Sequence, residues 1–322
     1  MNDKIRPKLV FSRCLGFEAC RYNGQIISDA FVEKLKPFVD GVVLCPESDI
    51  GMGIPRDPVR IVIENDVPVL FQPASGKRWT EQMNEYCSKT LGELGWVDGF
   101  LLKSRSPSCG FKDTKIYRGF DSSSGHKKGP GFFGRAVCEK FPDHPVEDEG
   151  RLKNWSIRDQ FLTGVYTRAK FRAVLESEEM GQLVDFHSRN KLLYMSINQN
   201  AMRKMGRIIA NHEKVHFSEV TAKYGKELGE LLKTPSSYTN IINTALHAFG
   251  GVTEELSSKE RKYFLDLLEE YRDERIPVSA VYTVLKSWAL RMDNDYLLNQ
   301  TFLSPYPKEL TEITDSGKGR NL

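Results

Sequence analysis

Long hydrophobic runs are absent from this 322-residue chain. No segment approaches the roughly 18 consecutive apolar residues of a membrane helix, and the N-terminal MNDKIRPKLVF lacks the apolar stretch of a secretory signal peptide. The sequence therefore predicts a cytoplasmic protein without membrane association. In that compartment its six cysteines are expected to be thiols, metal ligands or buried small side chains rather than disulfides.

An excess of one charge is also missing, because 46 lysines and arginines face 43 aspartates and glutamates. The net charge of +3 neither requires nor excludes nucleic acid, so only the local arrangement of charges is informative. Hydrophobic residues make up 40% of the chain, which excludes a disordered or collagen-like protein. The length is typical of about two domains, and it does not define the oligomeric state.

The first part of the chain alternates β-rich segments with helical ones. Helical spacing is found at 28–39, where Ser28 is the expected N-cap, and at 78–95. Strands are predicted within 8–14, 41–47, 60–65, 67–73 and 98–110. This alternation predicts an α/β domain over residues 1–148, with a parallel or mixed sheet and helices on both faces.

Residues 119–135 are predicted to form a long functional or mobile loop, because they hold five glycines and three consecutive serines. The acidic, proline-bearing segment 141–152 then forms a natural junction between domains. From about Ile157 onward, apolar residues recur at three- and four-residue spacing. The sequence therefore predicts an all-α second domain over residues 149–322.

Three cysteines share a setting at the ends of predicted strands. Cys14 ends the first strand, Cys45 ends the second, and Cys109 follows the strand that begins near residue 98. Ligands of open α/β sheets bind beyond the carboxyl ends of strands, and thiolates are ligands of zinc and of iron–sulfur clusters. The three thiols are therefore candidates for one metal centre. The alternative is that each is a buried cysteine near a strand end.

The other three cysteines carry a weaker signal. Cys87 and Cys138 lie inside amphipathic helices and are predicted to be buried small side chains. Cys20 lies six residues after Cys14 and remains ambiguous from spacing alone.

The segments SRCLGFEACRYNG, CPE and KSRSPSCG resemble the signatures of the thiouracil desulfidase family, and together they cover residues 7–145 in the family's order. The helical part, through FHSRNKLLYMS, KYFLDLLEEYR, IPVSAVYTVLKSW and YLLNQTFLSPYPKEL, resembles a YbgA-like helical domain of formerly unknown function. The pair is similar to two-domain TudS/RudS-type desulfidases, which remove sulfur from 4-thiouridine in transfer RNA.

This resemblance implies a 4Fe–4S cluster ligated by Cys14, Cys45 and Cys109, with the fourth iron open. A soft thiocarbonyl sulfur is expected to bind that iron, which acts as a Lewis acid while water replaces the sulfur without net electron transfer. Reduced Cys20 is expected in a core position. If Cys20 instead reached the fourth iron, the cluster would be closed.

Attack by water also needs a group that moves protons. Glu47, two residues after a ligand, is the first catalytic candidate, and Ser106 is the second, as a hydrogen-bonding or proton-relay hydroxyl. The alternatives are a helix-capping or salt-bridged surface role for Glu47, and turn geometry before Pro107 for Ser106. Further candidates for holding the substrate or the cluster are Ser104, Ser108 and Arg21.

A second motif competes with this interpretation. Residues 212–216 read His-Glu-Lys-Val-His, a literal H-E-x-x-H that binds zinc when both histidines share a helix face. The apolar pattern falters at Asn211, however, which favours a solvated helix end.

Basic residues of two consecutive helical segments are candidates for RNA binding, with aromatic side chains interleaved. They are His187, Arg189, Lys191, Arg203, Lys204 and Arg207, together with Lys127 and Lys128 of the glycine-rich segment. Lysine and arginine neutralise phosphates, and aromatic rings stack on exposed bases. The alternative is that these residues are ordinary solvated helix faces.

The leading hypothesis is thus a cluster-dependent, non-redox desulfidase of 4-thiouridine in transfer RNA. One alternative is a desulfidase of free thiolated pyrimidines such as thiouracil. The other is a non-catalytic iron–sulfur RNA-binding protein, in which Cys20 closes the cluster.

Overall fold

The structure is a computed structural model that describes residues 5–121 and 125–312. The chain divides into two compact units at Val165/Tyr166, inside a helix, and the described residues from Leu310 onward belong to the first unit. The predicted domains 1–148 and 149–322, understood as functional units, remain a prediction.

The first unit contains two β-sheets. In the described residues its strands are β1 (Lys8–Ser12), β2 (Asp40–Leu44), β3 (Arg60–Glu64), β4 (Val67–Gln72), β5 (Lys77–Arg78), β6 (Gly99–Leu102), β7 (Thr114–Tyr117), β8 (His126–Gly129) and β9 (Val146–Asp148). One sheet has the order β2-β1-β6-β9 and is parallel throughout. The other has the order β5-β4-β3-β7-β8 and is mixed.

Four helices lie among these strands, and a fifth leads into the second unit. They are α1 (Ala30–Leu35), α2 (Pro46–Asp49), α3 (Thr80–Glu93), α4 (Phe132–Lys140) and α5 (Trp155–Ser177). The second unit continues with α6 (Met180–Ile197), α7 (Gln199–Ala210), α8 (Phe217–Lys233), α9 (Tyr238–Gly250), α10 (Ser258–Arg272), α11 (Val278–Arg291) and α12 (Asp295–Leu298). The predicted class, α/β followed by all-α, is confirmed.

The two central strands of the parallel sheet, β1 and β6, are buried almost completely. All four residues of β6 are buried, as are four of the five residues of β1, because these strands are covered on both sides. Gly99 begins β6 where no side chain fits, since a Cβ would lie 2.9 Å from Val165 Cγ2. Tight packing thus fixes the strands whose carboxyl ends carry two of the candidate cysteines.

Two local predictions were wrong. Helix α1 is capped by Asp29, not Ser28, because the Asp29 carboxylate accepts from the amides of Phe31 and Val32 at 3.1 Å. The predicted loop 119–135 contains strand β8 and the start of helix α4, and its three serines lie outside the described residues.

The glycines of that segment serve close packing. A Cβ on Gly134 would lie 2.2 Å from the carbonyl oxygen of Gly110, and one on Gly131 would lie 2.5 Å from that of Pro107. Because glycine has no Cβ, the start of α4 comes close enough to donate amide hydrogen bonds to the loop that holds Cys109. Glycine richness therefore indicated contact here, not mobility.

The second unit packs its helices around aromatic side chains. Phe171, Phe186 and Tyr224 bring α5, α6 and α8 together with ring centroids 5.6–6.2 Å apart. Phe249 and Phe264 stack at 4.7 Å between α9 and α10. Within the described chain, no helix is both long and apolar enough to cross a membrane.

Candidate active site

Three cysteines emerge from the carboxyl ends of three adjacent parallel strands. Cys14 follows β1, Cys45 follows β2, and Cys109 lies on the loop after β6. Cys45 and Cys109 are buried and Cys14 is half-buried. Because the three strands are neighbours with the same direction, their ends lie at one edge of the sheet. The strand order therefore places the three cysteines at the same edge of the sheet, where the sequence analysis expected them.

Cys20 joins them as a fourth thiol. It is fully buried, and hydrogen bonding to the Cys14 thiol raises the pKa of Cys20 to about 11, with hydrogen bonding to Cys45 acting in the opposite direction. The Cys45 sulfur also lies 3.9 Å from the carbonyl oxygen of Cys20. We call Cys14, Cys20, Cys45 and Cys109 the thiol group.

The thiols of Cys45 and Cys109 are held in their protonated form. The pKa of Cys45 is raised by its hydrogen bond to Cys20 and by burial. Burial raises the pKa of Cys109, while hydrogen bonds from the hydroxyls of Ser12 and Ser106 oppose this shift. A metal must therefore displace protons from these sulfurs in order to bind.

Ser12 and Ser106 hold the Cys109 loop in place. The Ser106 oxygen accepts from the amides of Ser108 at 3.2 Å and of Cys109 at 3.0 Å. Ser12 ends β1 at 2% exposure, and its oxygen accepts from the amide of Lys103 at 2.8 Å. Ser106 thus stabilises the turn before Cys109, which is the structural role considered as the alternative to catalysis. Its catalytic role remains a prediction.

Glu47 lies at the start of α2 and is neither a helix cap nor a surface group. The Nη2 and Nε atoms of Arg56 donate to Glu47 Oε2 at 2.7 and 3.0 Å, and the Ser108 hydroxyl donates to Oε1 at 2.9 Å. The side chains of Arg56 and Glu47 are 4% and 13% exposed. Arg56 also donates to the carbonyl of Cys20 at 3.1 Å, so it ties the carboxylate to the thiol group.

A second carboxylate, Asp49, organises the other side of Cys45. It accepts from the Cys45 amide at 3.2 Å and from the Tyr86 hydroxyl at 2.8 Å, and it forms an ion pair with Arg13 at 2.8 Å. Burial and the neighbouring Asp49 carboxylate raise the pKa of Tyr86. The phenol therefore stays a hydrogen-bond donor in the neutral range.

The other polar candidates are committed elsewhere. Ser104 donates its hydroxyl to Glu149 at 2.7 Å and its amide to the same carboxylate at 2.9 Å, and Lys103 completes an ion pair with Glu149. The guanidinium of Arg21 lies 5.5 Å from the ring centroid of Tyr22.

The rival H-E-x-x-H motif does not have the helical geometry that zinc binding needs. Across residues 5–121 and 125–312, no group of three His, Cys, Asp or Glu side chains has the geometry of one metal ion. The H-E-x-x-H segment lies in a turn after α7, because Asn211 adopts φ = 43° and ends that helix. His216 instead caps α8 through the amide of Ser218. The helix that would put both histidines on one face is absent at 212–216.

The candidate RNA-binding residues divide by environment. His187 is buried at 7% exposure, with Nδ1 3.2 Å from the Tyr224 hydroxyl. Arg189 forms an ion pair with Asp185 at 2.6 Å, and Lys204 forms one with Glu227 at 2.5 Å. Exposed candidates for which the described residues supply no ion-pair partner are Lys191, Arg203 and Arg207, with Lys127 and Lys128 exposed on β8.

Comparison with known proteins assigns the first unit. Residues 9–149, which include the thiol group and Glu47, match the family model described as 2-thiouracil desulfurase. The uncharacterized protein YbbK of Bacillus subtilis (strain 168) is 38% identical over 112 residues, covering 32% of this chain and 72% of that protein. The chain belongs to the 2-thiouracil desulfurase family. It is therefore an enzyme of the desulfidase class, as the motifs predicted.

The second unit has matches of its own. Residues 191–307 match a family model for proteins of unknown function, DUF1722. The uncharacterized protein YbgA of Escherichia coli (strain K12) is 26% identical over 129 residues, covering 40% of this chain and 76% of that protein. The two-domain arrangement is thus confirmed. A solved structure, the [4Fe-4S]-dependent thiouracil desulfidase TudS, has 24% identity and a TM-score of 0.37, covering 46% of this chain and 93% of its own.

Several site residues escaped prediction from the sequence. Arg56 lies in a loop nine residues after Glu47 with no motif around it, and Ser12 reads as the polar end of a strand. Asp49 and Arg13 are ordinary charged residues in the sequence. The one available signal was the position of Arg13 and Asp49 within one to four residues of the motif cysteines.

Proposed function

We propose that this enzyme replaces the thiocarbonyl sulfur of 4-thiouridine in transfer RNA with oxygen, giving uridine and hydrogen sulfide. The observation that carries the proposal is the convergence of Cys14, Cys45 and Cys109 from three adjacent strand ends, beside the ion-paired carboxylate of Glu47. A transfer RNA substrate would place the protein in the cytoplasm.

The donor set fits a 4Fe–4S cluster ligated by Cys14, Cys45 and Cys109. Soft thiolates are the ligands that iron–sulfur clusters use, and hydroxyl groups near the sulfurs tune such clusters. Ser12 and Ser106 supply those hydroxyls at Cys109. When bound, the cluster would supply one iron that none of the three cysteines ligates. That iron would act as a Lewis acid and polarise the thiocarbonyl sulfur.

The protein's own part in the reaction is to move protons and to position water. Glu47 accepts a proton from the attacking water, while Arg56 and Ser108 keep its two oxygens in place. A carbon–oxygen bond forms, the carbon–sulfur bond breaks, and both water protons leave with the sulfide. No electrons are transferred. Ser106 orients the Cys109 loop, and proton relay through its hydroxyl stays a prediction.

Transfer RNA is proposed to bind the second unit. Lys191, Arg203 and Arg207 are exposed, and no described acidic residue neutralises them, so they are available for phosphates. Thiolated bases in folded RNA have to turn outward to reach a buried site, which requires the enzyme to hold the surrounding RNA.

The decisive experiment compares two substrates with one anaerobic, cluster-loaded preparation. We expect loss of thiocarbonyl absorbance and stoichiometric sulfide from transfer RNA that contains 4-thiouridine, at lower substrate concentration than from free 2-thiouracil. Turnover of 2-thiouracil alone would establish the free-base alternative, which the family description favours. Turnover of neither substrate by fully loaded protein would refute both substrate assignments.

A further inference from the structure

The second unit contains a pocket that the proposed chemistry does not use. Its volume is about 550 Å³, within the range of roughly 300–1,000 Å³ that small-molecule sites occupy. Residues of α6, α7 and α9 line it, and they include Lys191, Met195, Met202, Arg203 and His247. We call this cavity the helical pocket.

Apolar, adaptable side chains form one part of the helical pocket. Met195 and Met202 are 5% and 7% exposed, and Ile209 extends the same surface. Methionine is unbranched and polarizable, so it packs against flat rings without requiring one fixed shape. Such walls suit the faces of a planar heterocycle.

Hydrogen-bonding groups lie beside that apolar surface. Burial and the charge of Lys191 lower the pKa of His187 to about 4, so its ring is neutral at physiological pH. The Tyr224 hydroxyl occupies Nδ1, while Nε2 lies on the side of Gly206, where a Cβ would be 3.6 Å away. Neutral imidazole can pair with the edge of a base, whereas a protonated ring only donates.

Positive charge completes the helical pocket. Lys191 and Arg203 lie in its lining and are exposed, and no ion pair within the described chain neutralises either of them. Their neighbours Arg189 and Lys204 do have acidic partners. An apolar cavity with two unneutralised cations matches a flat aromatic group that carries an anion.

We propose that the helical pocket binds one unpaired nucleotide of the RNA substrate, with its base against Met195 and Met202 and its phosphate against Lys191 and Arg203. This inference rests on the proposed function, since it takes transfer RNA as the substrate. Single-stranded bases are the parts of an RNA that proteins read by stacking and edge contacts. The nucleotide held here is distinct from the thiolated one that reacts.

The test uses the full-length protein and a readout that does not depend on turnover. Gly206→Leu extends a side chain into the helical pocket from α7, and Gly181→Leu is the matched control, because a Cβ at Gly181 meets nothing within 4 Å. We expect Gly206→Leu to weaken transfer RNA binding at least about tenfold and Gly181→Leu to leave it unchanged. Circular dichroism verifies folding, and Arg203→Gln is the second variant if Gly206→Leu unfolds.

Uridine 5′-monophosphate is the direct probe. In protein labelled at its methionine methyl groups, the nucleotide should shift the resonances of Met195 and Met202 and leave that of Met83, buried in the first unit, unmoved. Nucleotide shifts without any effect of Gly206→Leu on RNA binding would assign the pocket to a free nucleotide and overturn the proposal. Unchanged RNA binding without such shifts would overturn it as well. Failure of the wild type to bind transfer RNA would instead overturn the proposed function.

Discussion

The charged groups beside the thiol group differ from three exposed cations of the second unit in whether an oppositely charged side chain pairs with them. In the first unit, Glu47 and Asp49 lie beside the thiol group and pair with Arg56 and Arg13, and Glu149 pairs with Lys103. In the second unit, Lys191, Arg203 and Arg207 have no such partner among the described residues. Internally neutralised networks hold groups rigidly, as chemistry requires, whereas unneutralised cations attract an anion from outside. The contrast supports the proposal that the first unit carries out the reaction and the second unit binds the RNA.

Loss of a proposed ligand thiol should have the largest effect. Cys14→Ala, Cys45→Ala and Cys109→Ala are each expected to abolish iron binding and desulfidation. Cys87→Ala is the control, since Cys87 is a buried thiol of α3, 4% exposed, and is not one of the proposed ligands. Iron content, the cluster absorbance and sulfide release measure the outcome.

Cys20→Ala distinguishes three ligands from four in the same assay. Retained iron and activity are expected, because Cys20 is proposed as a neighbour rather than a ligand. Loss equal to that of Cys45→Ala would make Cys20 a ligand and contradict the three-thiolate assignment.

Removal of Arg56 should have the second-largest effect. Arg56→Ala leaves the Glu47 carboxylate 13% exposed without its cation, and breaking a buried pair costs roughly 3–5 kcal/mol. We expect lower thermal stability and strongly reduced kcat, with partial recovery in Arg56→Lys. Arg78→Ala is the control, because its ion pair with Glu64 is exposed and contributes about 0–1 kcal/mol. Full activity of Arg56→Ala would contradict the assigned role of this ion pair.

Acid should loosen the second unit before it affects the parallel sheet. His187 has a folded-state pKa of about 4 against an ordinary value of 6.5, so the unfolded chain binds a proton first as pH falls. Stability is therefore fully present above pH 6.5 and declines toward pH 4, by at most about 3 kcal/mol.

Hydrogen exchange checks this pH dependence without assuming a single unfolding transition. Amides of α6 should lose protection between pH 6.5 and 4 more than those of β1, and His187→Gln should flatten the difference. His247→Gln is the matched control, since His247 is exposed on α9. Equal pH dependence in wild type and His187→Gln would rule out this residue as the cause.

The parts of the site that the sequence predicted differ in kind from those it did not. Cys14, Cys45 and Cys109 were predictable, because strand ends and short motifs encode them locally. Arg56 and Ser12 were not, because the contacts that place them in the site are distant in the chain. Arg56 donates to the carbonyl of Cys20, and Ser12 accepts from the amide of Lys103. The start of helix α4 was assigned to a loop because glycine signals both flexibility and close approach, and only the fold shows which applies at Gly131 and Gly134.

The smallest effect should come from neutralising the unpaired cations of the second unit. Arg203→Gln with Arg207→Gln removes two phosphate contacts, which should weaken transfer RNA binding about tenfold and reduce the slope of log affinity against log salt by about 2. The kcat with free thiouracil should not change, because the thiol group and Glu47 are untouched. Lys223→Gln with Lys233→Gln is the control, since both lysines already pair with glutamates of α8. Equal weakening by both pairs would mean that bulk charge attracts the RNA; weakening by the first pair alone would mean that unpaired cations recognise it at fixed positions.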